Sequence, residues 1–349
     1  MIRRPGWAAA LVLACACGDV PDPLWLLGDE PRVLAFRVEV VEPGPASEGL
    51  LPIPADRIRS QPLPGDTVEV SAWVADAVDE YATEDLDPAW FICPRDASCI
   101  ESMQRPEAFE SCEGPVPSRV ACRIARGARP RFEIPPLDPA LLLEEQAALR
   151  LAMVGHTDPD LDTERCIERI SDPSGPDWTG CIVGYRIILL GPVARLVTHA
   201  VDEGFEPESF VPPDPAVPVI PTYNPEVTTL VLAPYYGRSP ADTSRAVRVE
   251  PGGTATLEPG AVYVTESFFD PKDQQDFVIF AADGIPGFGP FSPSRMVYTA
   301  SPDILEFSIR GGWRIWTPTE PATFSMLSVL FDPAGGIAWT TYHFEVAAP

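Results

Sequence analysis

At 349 residues, with 45% of them hydrophobic, the chain has enough material for two domains of ordinary size, each with its own core. A formal net charge of −26 excludes nucleic acid and anionic lipid headgroups as electrostatic partners. The 43 prolines and 25 glycines disfavour long helices and suit short strands joined by many turns.

The chain opens Met1-Ile2-Arg3-Arg4, a cationic stretch, followed by an apolar run from Trp7 to Ala16. A bilayer span needs roughly twenty such residues, so a run this short reads as the core of a signal peptide covering residues 1–16. Its end, Leu13-Ala14-Cys15-Ala16-Cys17-Gly18-Asp19, resembles the lipobox of bacterial lipoproteins, in which a small residue precedes the cysteine that becomes acylated. Cys15 and Cys17 compete for that role. Val12 favours Cys15, but acylating Cys17 leaves an even set of later cysteines, and an odd thiol is a liability outside the cytoplasm. Cys17 is therefore the expected anchor and Cys15 the alternative. In lipoproteins of this kind an aspartate after the acylated cysteine marks inner-membrane retention. Gly18 (or Ala16) stands there, so the resemblance implies the outer membrane.

Residues 17–31, rich in Pro and Asp, read as a tether. Val33-Leu-Ala-Phe-Arg-Val-Glu-Val-Val41 then reads as a strand, and Pro64-Gly65-Asp66-Thr67 delivers a second in which Val68, Val70, Ala72 and Val74 alternate with Glu69, Ser71 and Trp73. That alternation predicts a half-buried strand. Cys93, Cys99, Cys112, Cys122, Cys166 and Cys181 contain no Cys-x2-Cys pair and no histidine at metal-ligand spacing, so in an exported chain they predict three disulfides. Cys166–Cys181 would close a short polar loop. The other four could nest as 93–122 and 99–112, a choice that spacing leaves open.

Pro139 to Arg150 is the one helix-like segment, its second half merging into a strand through Met153 and Val154. The prolines of residues 203–221 predict an extended linker between a disulfide-bonded domain at 32–202 and a second domain at 222–349. Val227 to Ala233 opens the second half, and Pro251-Gly252-Gly253-Thr254 echoes the earlier turn. Phe324–Phe331 and Ile337–Val346, around Asp332-Pro-Ala-Gly-Gly336, predict a closing hairpin.

Taken together, the lipobox, the Val-Leu-Ala-x-Arg first strand, Pro-Gly-Asp-Thr before the second, Asn224-Pro225 and the closing Asp332-x3-Gly336-x2-Trp339 resemble the tandem Ig-like or PKD-like lipoproteins of the myxobacterial type. The resemblance implies an all-β fold of two immunoglobulin-like β-sandwiches in tandem, and an address. It implies no activity.

Candidate chemistry is sparse. His156, His199 and His343 belong to no paired zinc motif, and no Gly-x-Ser-x-Gly elbow is present. Asp158, Asp160 and Asp162 place oxygen ligands at alternate positions, as calcium loops do, but Thr163 and Arg169 stand where an EF-hand needs its glycine and bidentate glutamate. A solvated acidic loop accounts for the same pattern. A second acidic run holds Asp76, Asp79, Glu80, Glu84, Asp85 and Asp87. The Gly-rich run Asp283–Ser292 lacks a phosphate-loop lysine and reads as a loop, whose Phe288 and Phe291 could join Tyr235, Tyr236, Phe268 and Phe269 in a binding patch. The reading is a non-enzymatic, lipid-anchored binding or structural module of the cell envelope, needing no cofactor. Its expected partners are the membrane, through the lipid, and another envelope protein or a glycan, with no nucleic acid. The alternatives are a calcium-stabilised adhesion module and a hydrolase using acidic residues.

Overall fold

The computed structural model describes residues 26–93, 99–103, 112, 121–136, 148–172, 174–175, 177–202, 204, 219–237, 243–266, 271–280, 286–291, 293–301, 303–308, 312–332 and 335–347. The expected lipobox, with Cys15 and Cys17, lies outside these residues, as does most of the expected linker.

Strand β1 (Arg32–Glu42) pairs antiparallel with β2 (Thr67–Ala75), from Arg32 opposite Ala75 to Glu42 opposite Thr67. The turn before β2 is made by Gly65, whose φ of +80° is a left-handed conformation that glycine adopts without steric cost. The far edge of β2 is shared by β3 (Glu80–Tyr81) and β6 (Arg131–Glu133). A facing sheet runs β5 (Cys122–Arg126), β4 (Ala89–Cys93), β7 (Ala148–His156), β8 (Cys181–Leu189), all antiparallel. Phe36, Val38 and Val40 of β1 and Val68, Val70, Ala72 and Val74 of β2 meet Trp90, Ile92, Leu151 and Met153 between the sheets. That is the period of two doing what it predicts, with each fully buried large side chain worth about 1.5–3 kcal/mol.

β4 is buried at all five positions because its outer face is covered as well. There Ala89 and Phe91, with Ala152 and Val154 of β7, meet Cys166, Ile167 and Ile170 of helix α2 (Thr163–Ile170) and Met103 of helix α1 (Cys99–Met103). Two disulfides staple this cover to the sheet, Cys93–Cys99 at the end of β4 and Cys166–Cys181 at the start of β8, while Cys112–Cys122 at the start of β5 packs on the inner core. The expected 166–181 pair is present, whereas the other four cysteines pair sequentially rather than nesting. Helix α3 (Val193–Asp202) adds Leu196 and Ala200 to the first core. Neither α2 nor α3 was expected. α2 hides in a polar stretch, and α3 follows β8 after only three residues. Within the expected helix at 139–150, residues 139–147 lie outside the described residues, and from Ala148 the chain is already β7.

In the second half one sheet runs β10 (Val247–Val249), β9 (Leu230–Pro234), β12 (Val262–Glu266), β17 (Gly312–Trp316), β16 (Leu305–Ser308). The other runs β11 (Thr254–Leu257), β19 (Ile337–Val346), β18 (Ala322–Phe331), β15 (Ser294–Tyr298). Strands β18 and β19 are the expected closing hairpin, paired at ten successive positions. The echo of the first half is only partial: the strand after Pro251-Gly-Gly-Thr, β11, runs parallel to β19 in the opposite sheet and does not pair with β9. The expected Gly-rich loop forms instead a strand, β14 (Pro286–Phe291), in a hairpin with β13 (Gln275–Phe280).

With the edge strands β10 and β11 and the β13–β14 hairpin set aside, these pairings put the first, second, fifth and fourth remaining strands (β9, β12, β17, β16) in one sheet and the third, sixth and seventh (β15, β18, β19) in the other. That is the immunoglobulin arrangement. The first half has the related order, with β1, β2 and β6 facing β5, β4, β7 and β8. The chain is thus an all-β protein of two immunoglobulin-like sandwiches.

They stack side by side. Glu69 and Ser71 of β2 face outward, as alternation predicts, but Trp73 and Ala75 on the same face are buried under the second half. With Leu27 and Ala35 they pack on Leu327, Val329 and Ile337 from the outer face of the β18–β19 hairpin. Trp73 stacks on Trp339 with ring centroids 5.9 Å apart and planes at 10°. The result is four sheets in series with three apolar seams. Trp73→Ala should remove about 3–5 kcal/mol and split a single urea transition into two. One unbroken transition in the variant would show that the middle seam does not couple the halves.

Candidate functional site

Among the described residues, polar side chains bridge the joint between the sandwiches. The chain returns at residues 219–224 along the loop that follows β1: Leu51 donates its N–H to Val219, Ser60 to Thr222 and Asn224 to Ile58. Asn224 is 2% exposed. Its Nδ2 donates to the Val38 carbonyl at 2.9 Å and its Oδ1 accepts from the Ile337 amide at 2.8 Å. One side chain therefore satisfies main-chain groups of β1 and β19, which belong to different sandwiches. Gln275 treats Tyr223 similarly, accepting from its N–H at 3.0 Å and donating to its carbonyl at 2.9 Å. Gly336 passes so close that a Cβ would stand 2.6 Å from the Tyr223 carbonyl, which explains glycine at this point of the closing turn.

Charged groups complete the clasp. Asp273, fully buried, accepts from Arg57 Nε at 3.0 Å and from the Glu226 amide at 2.9 Å. Arg57 also meets Glu226 and Asp56, and Lys272, the only lysine of the chain, donates to Asp56 at 3.0 Å. On the opposite side Glu80 accepts from Trp73 Nε1 at 2.8 Å and from the Thr341 hydroxyl, tying the tryptophan stack at its edge.

Beside the clasp lies an open groove of about 390 Å³, walled by Pro43, Leu50, Leu51, Ile53, Ile58 and Pro221 with Arg57 and Arg59 among its lining. Leu51 and Ile58 are 46% and 42% exposed, unusual for large aliphatic side chains. Arg59 is held from behind by Asp66 of the Pro-Gly-Asp-Thr turn. Asp66 is fully buried and accepts from Arg59, from the Gly44 and Leu63 amides at 2.6 and 2.7 Å and from Ser47 Oγ at 2.6 Å. These contacts saturate its four acceptor positions. Burial pulls the Arg59 guanidinium down to about 10, so it stays charged at neutral pH and the pair persists. Its Nε is buried with no hydrogen-bond partner.

The structure does not gather the expected calcium ligands. Asp162 caps α2 through the Arg165 amide at 2.8 Å, and Asp158 turns back on the Asp160 amide at 2.9 Å. Neighbouring Glu164 is engaged by Arg123 at 2.8 Å. Among the described residues no three His, Cys, Asp or Glu side chains converge as a metal would require. Asp158 and Asp160 lie in the turn before α2, and only Asp162 serves the helix, as an N-cap carboxylate for its exposed amides. The second acidic run is similarly dispersed, with Asp76 closing the β2–β3 turn on Val78 and Asp79, and Asp87 pairing with Arg126. His156 ends β7, His199 lies on α3, and His343 meets Ser325 across β18–β19 at 2.9 Å on an exposed surface. Of the expected aromatic patch, Tyr235 lies under Arg314 at 5.0 Å and Tyr236 accepts from Arg245 at 2.7 Å. Phe268 and Phe269 are outside the described residues.

Arg57, Arg59, Asp273 and Gln275 were not anticipated from sequence. In Asp56-Arg-Ile-Arg-Ser60 the period of two is visible, but the arginines face inward and Ile58 outward, the reverse of the usual assignment.

No family model matches the chain, and no curated protein does. Among solved structures the chain is similar to Protocadherin Gamma B2 extracellular cadherin domains 3-6, at 13% identity over 93% of this chain and 53% of that one, with a TM-score of 0.17. A second similarity is to the Protocadherin GammaB4 extracellular domain, at 11% identity over 81% of this chain and 39% of that one, also with a TM-score of 0.17. The chain thus spans about half of those chains or less, and superpositions this poor carry no argument about fold or function.

Asp66→Ala should destabilise the fold by about 3–5 kcal/mol because it strands Arg59 without a counter-charge. Leu51→Ser, on the groove wall, should change stability by no more than about 0.5 kcal/mol. Urea denaturation of both variants checks the distinction between support and exposed surface.

Proposed function

We propose that the chain is an exported lipoprotein, acylated at Cys17 and held at the outer membrane, where its paired sandwiches serve as a rigid, non-catalytic binding or structural module. The observation that carries this reading is the joint. A seam of Trp73, Trp339 and aliphatic side chains, bordered by Asn224, Gln275 and the Arg57–Asp273 pair, couples the two halves into one unit. Rigid coupling is what a spacer or presenting module needs, since a flexible pair would dissipate position and load at its linker. Three disulfides support an oxidising compartment.

The tether enters at this joint. Leu27 is 3% exposed, and its amide donates to the Thr299 carbonyl at 2.9 Å, while Gly28 accepts from Ala77. Between Cys17 and Leu26 the chain can extend at most about 30 Å, so the sandwiches would stand close to the bilayer with the joint as their point of attachment. The groove, with Leu51 and Ile58 exposed, is the surface offered to an envelope protein or glycan.

Cys17→Ala should move the protein from the membrane to the soluble fraction and abolish the acylated N-terminal peptide in mass spectra, with Cys15→Ala leaving both intact. Retention of Cys17→Ala in the membrane with loss of Cys15→Ala would assign the lipid to Cys15. Solubility of the wild-type protein would sink the anchored reading.

A further inference from the structure

Within the second sandwich, among the described residues, the guanidinium of Arg295 is buried without a hydrogen-bond partner. Arg295 on β15 stands opposite Leu330 and two positions from Val297, whose side chain is fully buried in the second core. Alternation places Arg295 on that same inward face. All three guanidinium nitrogens, Nε, Nη1 and Nη2, are buried and lack a hydrogen-bond partner. Burial lowers the guanidinium from its ordinary value, and the one opposing influence is Tyr342, whose hydroxyl is already donated to the Thr228 carbonyl at 2.8 Å. Trp313, also buried, donates from Nε1 to the Arg295 carbonyl at 3.5 Å and so offers the charge no acceptor.

A second unsatisfied group adjoins it. Ser328 lies opposite Val297 on β18, diagonal to Arg295 on the same face, which is within reach of a long side chain. It is fully buried and its Oγ has no partner. A cation and a hydroxyl therefore share a face of the core, neither bonded to the other nor to any further group. An arginine cannot shed its proton near neutral pH, and leaving its charge out of water and unpaired costs several kcal/mol. Either group alone would be an isolated fault, but side by side they form the donor half of an anion site.

We propose that Arg295 and Ser328 bind a small monovalent inorganic anion of the halide class inside the second sandwich, with the guanidinium supplying the charge and the hydroxyl a further donor. Bound only by the folded state, the anion stabilises the sandwich by mass action, so halide concentration sets its stability. This site is independent of the membrane anchor and of the groove.

The test is thermal unfolding of the full mature chain at constant ionic strength, with sodium gluconate replaced stepwise by sodium chloride. The melting temperature should rise saturably by about 5 °C when chloride reaches a hundred times its dissociation constant. Arg295→Met should melt at one temperature across the series, and Ser328→Ala should need about tenfold more chloride for half the shift. Equal melting of the wild type in both salts, or an undiminished shift in Arg295→Met, overturns the proposal. If Arg295→Met does not fold, wild-type crystals grown in sodium bromide decide: an anomalous peak between Arg295 and Ser328 supports the site, and its absence at saturating bromide overturns it.

Discussion

The outer face of the β1–β2 sheet cannot be left in water along its whole length, and most of the architecture follows from this. Near Thr67 that face is polar, carrying Glu69 and Ser71; toward Ala75 it carries Trp73 and Ala75, with Ala35 beside them. A tryptophan buries one of the largest apolar surfaces of any side chain, so this end demands cover. The β18–β19 hairpin supplies it with Trp339, Leu327, Val329 and Ile337, which makes that hairpin apolar on both faces. The sandwiches therefore lie side by side, and the four sheets form one continuous stack.

Apolar contact sets this arrangement, but polar groups fix its position. Bringing β1 near β19 buries main-chain groups that water would otherwise satisfy, and each left unpaired would cost as much as a lost hydrogen bond. Asn224 and Gln275 answer that need because a side-chain amide both donates and accepts. The Arg57–Asp273 and Arg59–Asp66 pairs serve similarly in the loops. Breaking one partner of such a pair is far worse than never having built it, which makes the joint intolerant of slippage. The groove lies against this fixed frame, its exposed aliphatic wall standing on the Arg57–Asp273 and Arg59–Asp66 pairs.

The disulfides illustrate a different division of labour. All three lie on the β5–β4–β7–β8 sheet and none crosses between sheets; two of them, Cys93–Cys99 and Cys166–Cys181, tie down the short helices that cover its outer face. The second sandwich has no cysteine at all, and its covered face is closed by the neighbouring sandwich. One half is closed by covalent staples and the other by tertiary contact, each meeting the same requirement that an apolar sheet face be shielded.

Local chemistry in the sequence was enough to determine strands β1, β2 and β9, the turn at Gly65, the closing hairpin and the Cys166–Cys181 pair, because alternation, glycine turns and short loop closure act over a few residues. It also named, as family features, Asp66, Asn224, Gly336 and Trp339, without revealing that all but Asp66 meet at the joint and that Asp66 supports the groove beside it. Only the tertiary structure decided that Trp73 is covered, that Arg57 and Arg59 face inward while Ile58 faces out, that β11 runs parallel to β19, and that Asp158, Asp160 and Asp162 shape a turn and a helix cap. Those outcomes depend on what a second, distant segment brings to each face. A period of two says that a strand has two sides, and the fold alone says which side meets water.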